Sequence, residues 1–200
     1  MSARIINGTA IARAIREEVR LEIARLLAET GKVPGLAVVL AGNDPASEVY
    51  VRAKEKACAE AGVASFSRRL PASVSEAEVL SLVAELNADR RVHGILIQVP
   101  LPRTVGEIRV MEAVDPDKDV DGFHPRNLGR LLLGRETFLP CTPAGIREML
   151  LREKIPTAGR NVVIVGRSNI VGKPLAAILM QKANGANATV TLCHTGTRDL

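Results

Sequence analysis

Short apolar runs alternating with helical stretches are the feature that most constrains this chain. Leu36-Ala37-Val38-Val39-Leu40, His93-Gly94-Ile95-Leu96-Ile97-Gln98 and Asn161-Val162-Val163-Ile164-Val165 are nearly continuous in apolar residues, the pattern of strands buried on both faces. Ahead of them, Ile11, Ile15, Val19, Ile23 and Leu26 recur at helical spacing, with Arg16, Glu17, Arg20 and Glu22 on the other faces. That pattern predicts an amphipathic helix ended by Gly31 and Pro34. Val63 to Leu70 reads as a less apolar strand, Ser75 with Glu78 as a capping box opening a helix through Asn87, and Ala188 to Leu192 as a last strand. Strands alternating with helices in this way predict an α/β fold with a parallel sheet, whose ligands gather at the carboxyl ends of the strands.

Composition narrows the function classes. The chain has 200 residues, 46% hydrophobic and 24% charged, enough to bury a core in one large or two small domains. No apolar run approaches the roughly 20 residues that span a bilayer, and no signal-peptide core precedes the first helix, so a soluble cytosolic protein without a membrane partner is expected. Cys58, Cys141 and Cys193 are far apart and odd in number, which suggests neither a disulfide framework nor a metal site. The net charge of +5 invites a nucleic-acid reading, but aromatic residues make up only 2% of the chain, too few for base-stacking platforms. A mild basic excess equally suits nucleotide phosphates or a polycarboxylate.

Three stretches carry possible chemistry in the first part of the chain. Tyr50 and Lys54 stand four residues apart on a predicted helix and therefore share a face. Asn43-Asp44-Pro45 supplies turn residues before that helix, Ser47 is its expected cap and Gly62 its stop. A phenol and an ammonium on one face can present protons to a small molecule, since burial turns Lys into a usable acid/base; a solvated Lys beside a half-buried Tyr fits the same residues. Gln98 lies at a strand's carboxyl end, and Val99-Pro100-Leu101-Pro102 stops that strand and stiffens its exit. Farther on, Asp115-Pro116-Asp117-Lys118-Asp119-Val120-Asp121-Gly122 imitates the start of a calcium loop, but its twelfth position, counted from Asp117, is Leu128 where a bidentate Glu is needed. Calcium is rejected. The crowded carboxylates suit either a solvated turn or a donor-rich ligand.

The last part of the chain reads as a nucleotide unit. Asn161 to Val165 leads into Gly166-Arg167-Ser168-Asn169-Ile170-Val171-Gly172-Lys173-Pro174 and then an apolar helix from Leu175 to Met180, with Pro140-Cys141-Thr142-Pro143 and a helix from Ala144 to Leu151 as connector. Strand, glycine-containing turn and helix make a phosphate cradle. The spacing is neither G-x-G-x-x-G nor Walker A, which removes an ATPase reading. About 20 residues beyond Gly172, where an NAD site usually has an acidic residue, the chain has Cys193-His194-Thr195; with Arg167 and Arg198 nearby, this favours the 2′-phosphate of NADP.

Taken together, Pro45-Ala46-Ser47 with Tyr50-Val51 and Lys54, Gly94 to Pro102, Asp115 to Gly122, Pro140 to Pro143, and Gly166-Arg167-Ser168 with Val171-Gly172 and Pro174 resemble the bifunctional methylenetetrahydrofolate dehydrogenase/cyclohydrolase family, over almost the whole chain. The resemblance implies a folate-binding catalytic domain over residues 1–140 and, over 141–200, a connecting helix with the first part of a Rossmann-like NADP-binding domain. Family members normally continue well past Leu200.

The same resemblance implies the site roles. Lys54 is the main acid/base group, Tyr50 packs on the folate ring, Gln98 holds and tunes Lys54, and Asp121 binds the amino-pyrimidine edge of the pterin. Ile97 and Val99 line the substrate, while Gly166, Arg167, Ser168, Gly172 and Thr195 hold the cofactor NADP. No metal is implied. Tetrahydrofolate derivatives, polyglutamylated ones included, are the expected ligands, and a cytoplasmic homodimer the expected assembly. Two alternatives stay open on the residues: a non-catalytic folate- or nucleotide-binding module, and another NADP-dependent dehydrogenase of two-domain shape.

Overall fold

A computed structural model describes residues 3–199. It divides into two compact units, one spanning Ala12–Val120 and the other combining residues up to Ile11 with those from Asp121 onward. Among the described residues no helix is long and apolar enough to cross a membrane.

The first unit is built on three parallel strands, β1 (Gly35–Ala41), β2 (Ala64–Leu70) and β3 (Gly94–Gln98), in the order β2-β1-β3. Residues alternate across a strand, and both faces of β1 are buried. Ala37, Val39 and Ala41 join Ile95 and Ile97 under α3 (Glu76–Ala88) and α4 (Glu107–Ala113), through Val79, Val83, Leu86 and Val110. Val38, Leu40 and Leu96 face the opposite way and meet Val51 of α2 (Pro45–Ala61). This double coverage is what the unbroken apolar runs predict. Leu86 is 1% exposed within that packing, so Leu86→Ala should cost about 2–5 kcal/mol of stability by transfer and cavity terms. Equilibrium urea unfolding measures it, and a loss below about 1 kcal/mol would contradict the tight core.

The helix signals fared unevenly. At α3 both halves of the capping box form: Ser75 accepts from the Glu78 amide and the Glu78 carboxylate accepts from the Ser75 amide. In α2 the cap is Asp44 rather than Ser47; the Asp44 carboxylate accepts from the Ser47 amide at 2.8 Å, with Pro45 at the first helical position. Pro has no amide to satisfy there, so the helix opens at Pro45 and Ser47 becomes an interior residue. The first helix, α1 (Gly8–Thr30), buries none of its residues fully, although Ile23 packs against the C-cap Gly62 of α2.

In the second unit, β4 (Asn161–Val165) and β5 (Thr189–Cys193) pair in parallel. One face of this pair, with Val162, Ile164, Val190 and Leu192, packs on α6 (Cys141–Arg152) and α7 (Gly172–Leu179). On the other face Val163 and Val165 are 62% and 68% exposed, so the sequence expectation of a strand buried on both sides is corrected: among the described residues only one face is covered. A further helix, α5 (Pro125–Leu132), packs Leu131 against Ala177 and Ile178 of α7 and has no counterpart in the sequence reading.

Candidate active site

Parallel pairing places Leu40 of β1 opposite Gln98 of β3, so the carboxyl ends of these strands lie side by side, with α2 covering the Leu40 and Leu96 face. Lys54, on α2, reaches this strand end: its ammonium donates to Gln98 Oε1 at 2.7 Å. The amide has a fixed orientation because its Nε2 donates to the Val99 carbonyl at 2.8 Å, leaving the oxygen for Lys54. Ser47, buried beneath the turn of α2, adds a second donor to Val99 O at 3.4 Å. The Val99–Pro100 peptide is cis.

Tyr50 lies one turn before Lys54. Its ring centroid is 5.9 Å from Lys54 Nζ, and the residue is 62% exposed, which leaves a broad aromatic surface to solvent. An amphipathic ring beside a fixed ammonium is suited to a flat, polar heterocycle. Asp44, which holds the start of α2, has its carboxyl held below the usual range by the hydrogen bond from the Ser47 amide. From the sequence Asp44 reads as a turn residue and Ser47 as the cap; the signal that finds the cap is Asp directly before Pro at a helix start.

Lys54, Gln98, Tyr50, Ile97 and Val99 thus belong to one unit. Asp121 belongs to the other, where the Cys141 thiol lies 3.9 Å from its Oδ1. Among the described residues there is no group of three or more His, Cys, Asp or Glu arranged to hold a metal ion.

The glycine turn after β4 is tightly closed. Gly166 has φ +133°, and a Cβ on Gly172 would stand 2.0 Å from the Gly166 carbonyl oxygen. Ser168 Oγ accepts from the amides of Val171 at 3.0 Å and Gly172 at 3.3 Å, so these helix-entry donors turn inward on the loop. Arg167 is exposed, and its Nη1 approaches His194 Nε2 to 3.2 Å while His194 Nδ1 accepts from the Gly196 amide. A neutral imidazole has one acceptor nitrogen. In the tautomer whose Nδ1 accepts that amide, Nε2 carries the proton, and the guanidinium and the ring together offer donors to an anion. Thr195 is exposed in the same turn. This donor set fits a nucleotide phosphate.

A family profile for the catalytic domain of tetrahydrofolate dehydrogenase/cyclohydrolase matches residues 6–121, and one for the NAD(P)-binding domain of the same enzymes matches 140–200. The chain belongs to the tetrahydrofolate dehydrogenase/cyclohydrolase family. It is 59% identical over 200 residues to the bifunctional protein FolD of Dehalococcoides mccartyi, covering all of this chain and 68% of that one. The crystal structure of Campylobacter jejuni FolD, 42% identical, superposes with a TM-score of 0.93 over 99% of this chain and 69% of its own. The Trypanosoma brucei enzyme, crystallised with NADP cofactor and inhibitor, is 36% identical with a TM-score of 0.91, over 98% of this chain and 66% of its own. Members of the tetrahydrofolate dehydrogenase/cyclohydrolase family are bifunctional enzymes of one-carbon folate metabolism, and the α/β architecture with a catalytic and an NAD(P)-binding part is theirs.

Proposed function

We propose that this chain carries the folate site of an NADP-dependent 5,10-methylenetetrahydrofolate dehydrogenase and 5,10-methenyltetrahydrofolate cyclohydrolase, with Lys54 as its proton carrier. The hydrogen bond from Lys54 to an amide whose orientation is fixed by Val99 carries the reading. A group that must meet a reacting atom gains from being placed before substrate arrives, and here the acceptor that places it is itself fixed at a strand's carboxyl end.

In this reading the folate ring stacks on Tyr50, Ile97 and Val99 border it, and Asp121 accepts from the amino-pyrimidine edge. Gly166, Arg167, Ser168, Gly172 and Thr195 hold NADP⁺, which when bound supplies the hydride acceptor. Loss of hydride from the methylene carbon leaves the methenyl cation. Water then adds through its oxygen to that carbon, and the bond to N5 breaks. One water proton ends on N5 and the other is released, giving 10-formyltetrahydrofolate. Lys54 moves the proton between oxygen and N5, while Gln98 keeps the ammonium from swinging away. The reading extends to a cytoplasmic homodimer serving purine and amino-acid synthesis and accepting polyglutamylated folates.

Absorbance assays of methylenetetrahydrofolate oxidation with NADP⁺ and of methenyltetrahydrofolate hydrolysis test the assignment; absence of both activities from folded protein that also fails to bind folate would refute it. Cofactor choice has its own test. Arg167→Ala removes a charge-assisted contact to a terminal phosphate, so NADP⁺ affinity should fall by about ten- to fiftyfold while NAD⁺ affinity changes by less than about threefold. Equal losses for the two nucleotides in calorimetric titrations would remove Arg167 from the phosphate.

A further inference from the structure

We propose that Lys118 is a positioning residue for the folate site, clamping the segment that leads into Asp121 onto the C-terminus of α3. This rests on the assignment of Asp121 to the pterin edge proposed above. Lys118 Nζ donates to the carbonyls of Leu86 at 3.2 Å, Asn87 at 2.8 Å and Asp89 at 2.9 Å. These carbonyls belong to the end of a helix, where the last four lack intrahelical partners and positive charge is favoured. An ammonium has three N–H donors, and all three are spent on the clamp. Lys118 therefore has no donor left for a ligand, and its influence on one must pass through the chain it holds.

The main chain at Lys118 is fixed as well. Its carbonyl accepts from the Ile95 amide at 2.7 Å, and Asp119 forms a parallel bridge with Ile95, so residues 118–119 extend the sheet beside β3. Val120 seats so closely on β3 that a Cβ on Gly94 would stand 2.4 Å from its Cγ1. A second tether comes from Asn87, which donates to Ala113 O at 2.8 Å and accepts from the Asp115 amide at 2.9 Å. Running parallel to β3, this segment heads in the direction of the strand end that carries Gln98. Asp121 is the next residue after Val120. Releasing Lys118 removes one of these restraints and loosens the approach to Asp121, while every charged group proposed to touch the ligand stays in place.

The test is calorimetric titration of the full chain with 5-formyltetrahydrofolate and, separately, with NADP⁺. Lys118→Met should weaken folate by about tenfold or more, the scale of losing hydrogen bonds to a charged group, and leave NADP⁺ within about twofold. Lys118→Arg, which restores charge and donors, should recover most of the affinity. Adding Lys118→Met to Asp121→Ala should cost no further folate affinity, because the clamp then has nothing to position. Should the apolar variant not fold, Lys118→Gln, able to satisfy at most two carbonyls, carries the same comparison. A folded Lys118 variant that melts earlier but binds folate like the parent would overturn the positioning role and leave the folate reading intact. A parent chain that binds no folate would instead remove the reading and the clamp's function together.

Discussion

Replacing Lys54 by Met should lower methenyltetrahydrofolate hydrolysis by about 10²- to 10⁴-fold, the usual contribution of a positioned acid/base group, while folate affinity falls much less. Met keeps an unbranched side chain of similar length, so the packing of α2 over Val38, Leu40 and Leu96 should persist through Val51, which is fully buried. What disappears is the ammonium and its bond to Gln98 Oε1. The Gln98 amide stays oriented by Val99 O and is left with one acceptor facing the site. Hydride transfer needs no proton from Lys54, so the dehydrogenase step should be affected less than the hydrolysis. The comparison is made by single-turnover hydrolysis in this chain, and in the same chain continued to the length of its relatives. If Lys54→Met hydrolyses at the parent rate in both, the proton-carrier role is lost and Lys54 is a solvated surface charge beside Tyr50.

Half of that arrangement was legible in the sequence. The spacing of Tyr50 and Lys54 places them on one helical face whatever the rest of the chain does, and the structure brings the ring within 5.9 Å of the ammonium. The end of an apolar run likewise identifies Gln98 as the last residue of a strand. Neither signal says that these two elements meet. Their meeting depends on the order β2-β1-β3, which sets β3 beside β1, and on α2 covering the Val38 and Leu40 face of β1. Strand order is a tertiary property, decided by which faces are buried together rather than by any one segment.

Other misses have equally specific causes. Ser47 is a good cap residue, as is Asp44 three residues before it, and Pro45 at the first helical position decides for Asp44. The α5 helix has only 8 residues and a Gly in its interior, so its amphipathic pattern spans barely two turns. Lys118 lay in a stretch read for its carboxylates; that its ammonium would serve as the C-cap of a helix some 30 residues upstream could not be seen without the fold. The exposed face of β4 was also hidden, because an apolar run reports what a strand is suited to and not how many neighbours it has.

The glycine turn supplies the second large effect. Gly172→Ala should reduce NADP⁺ affinity by about 10²-fold or more, with folate binding unchanged, because the added methyl would have to occupy space 2.0 Å from the Gly166 carbonyl oxygen and 2.7 Å from its carbon. Both are backbone atoms, so no side-chain rotation relieves the overlap, and forcing such a contact typically costs about 1–3 kcal/mol even where neighbours can shift. The movement that relieves it pushes Gly166 and Arg167 away from the entry of α7 and pulls Gly172 N off Ser168 Oγ, which reshapes the loop expected to hold the nucleotide. A matched control separates this from any general effect of adding a methyl. Gly145 lies inside α6 with nothing within 4 Å of its Cβ position, so Gly145→Ala should raise stability by about 0.5–1 kcal/mol through helix propensity and leave NADP⁺ binding untouched. Thermal melts and NADP⁺ titrations on the two variants decide the matter: a Gly172→Ala chain that binds NADP⁺ as tightly as the parent would mean that the closed turn is a folding requirement of the strand–helix junction and not part of a nucleotide site.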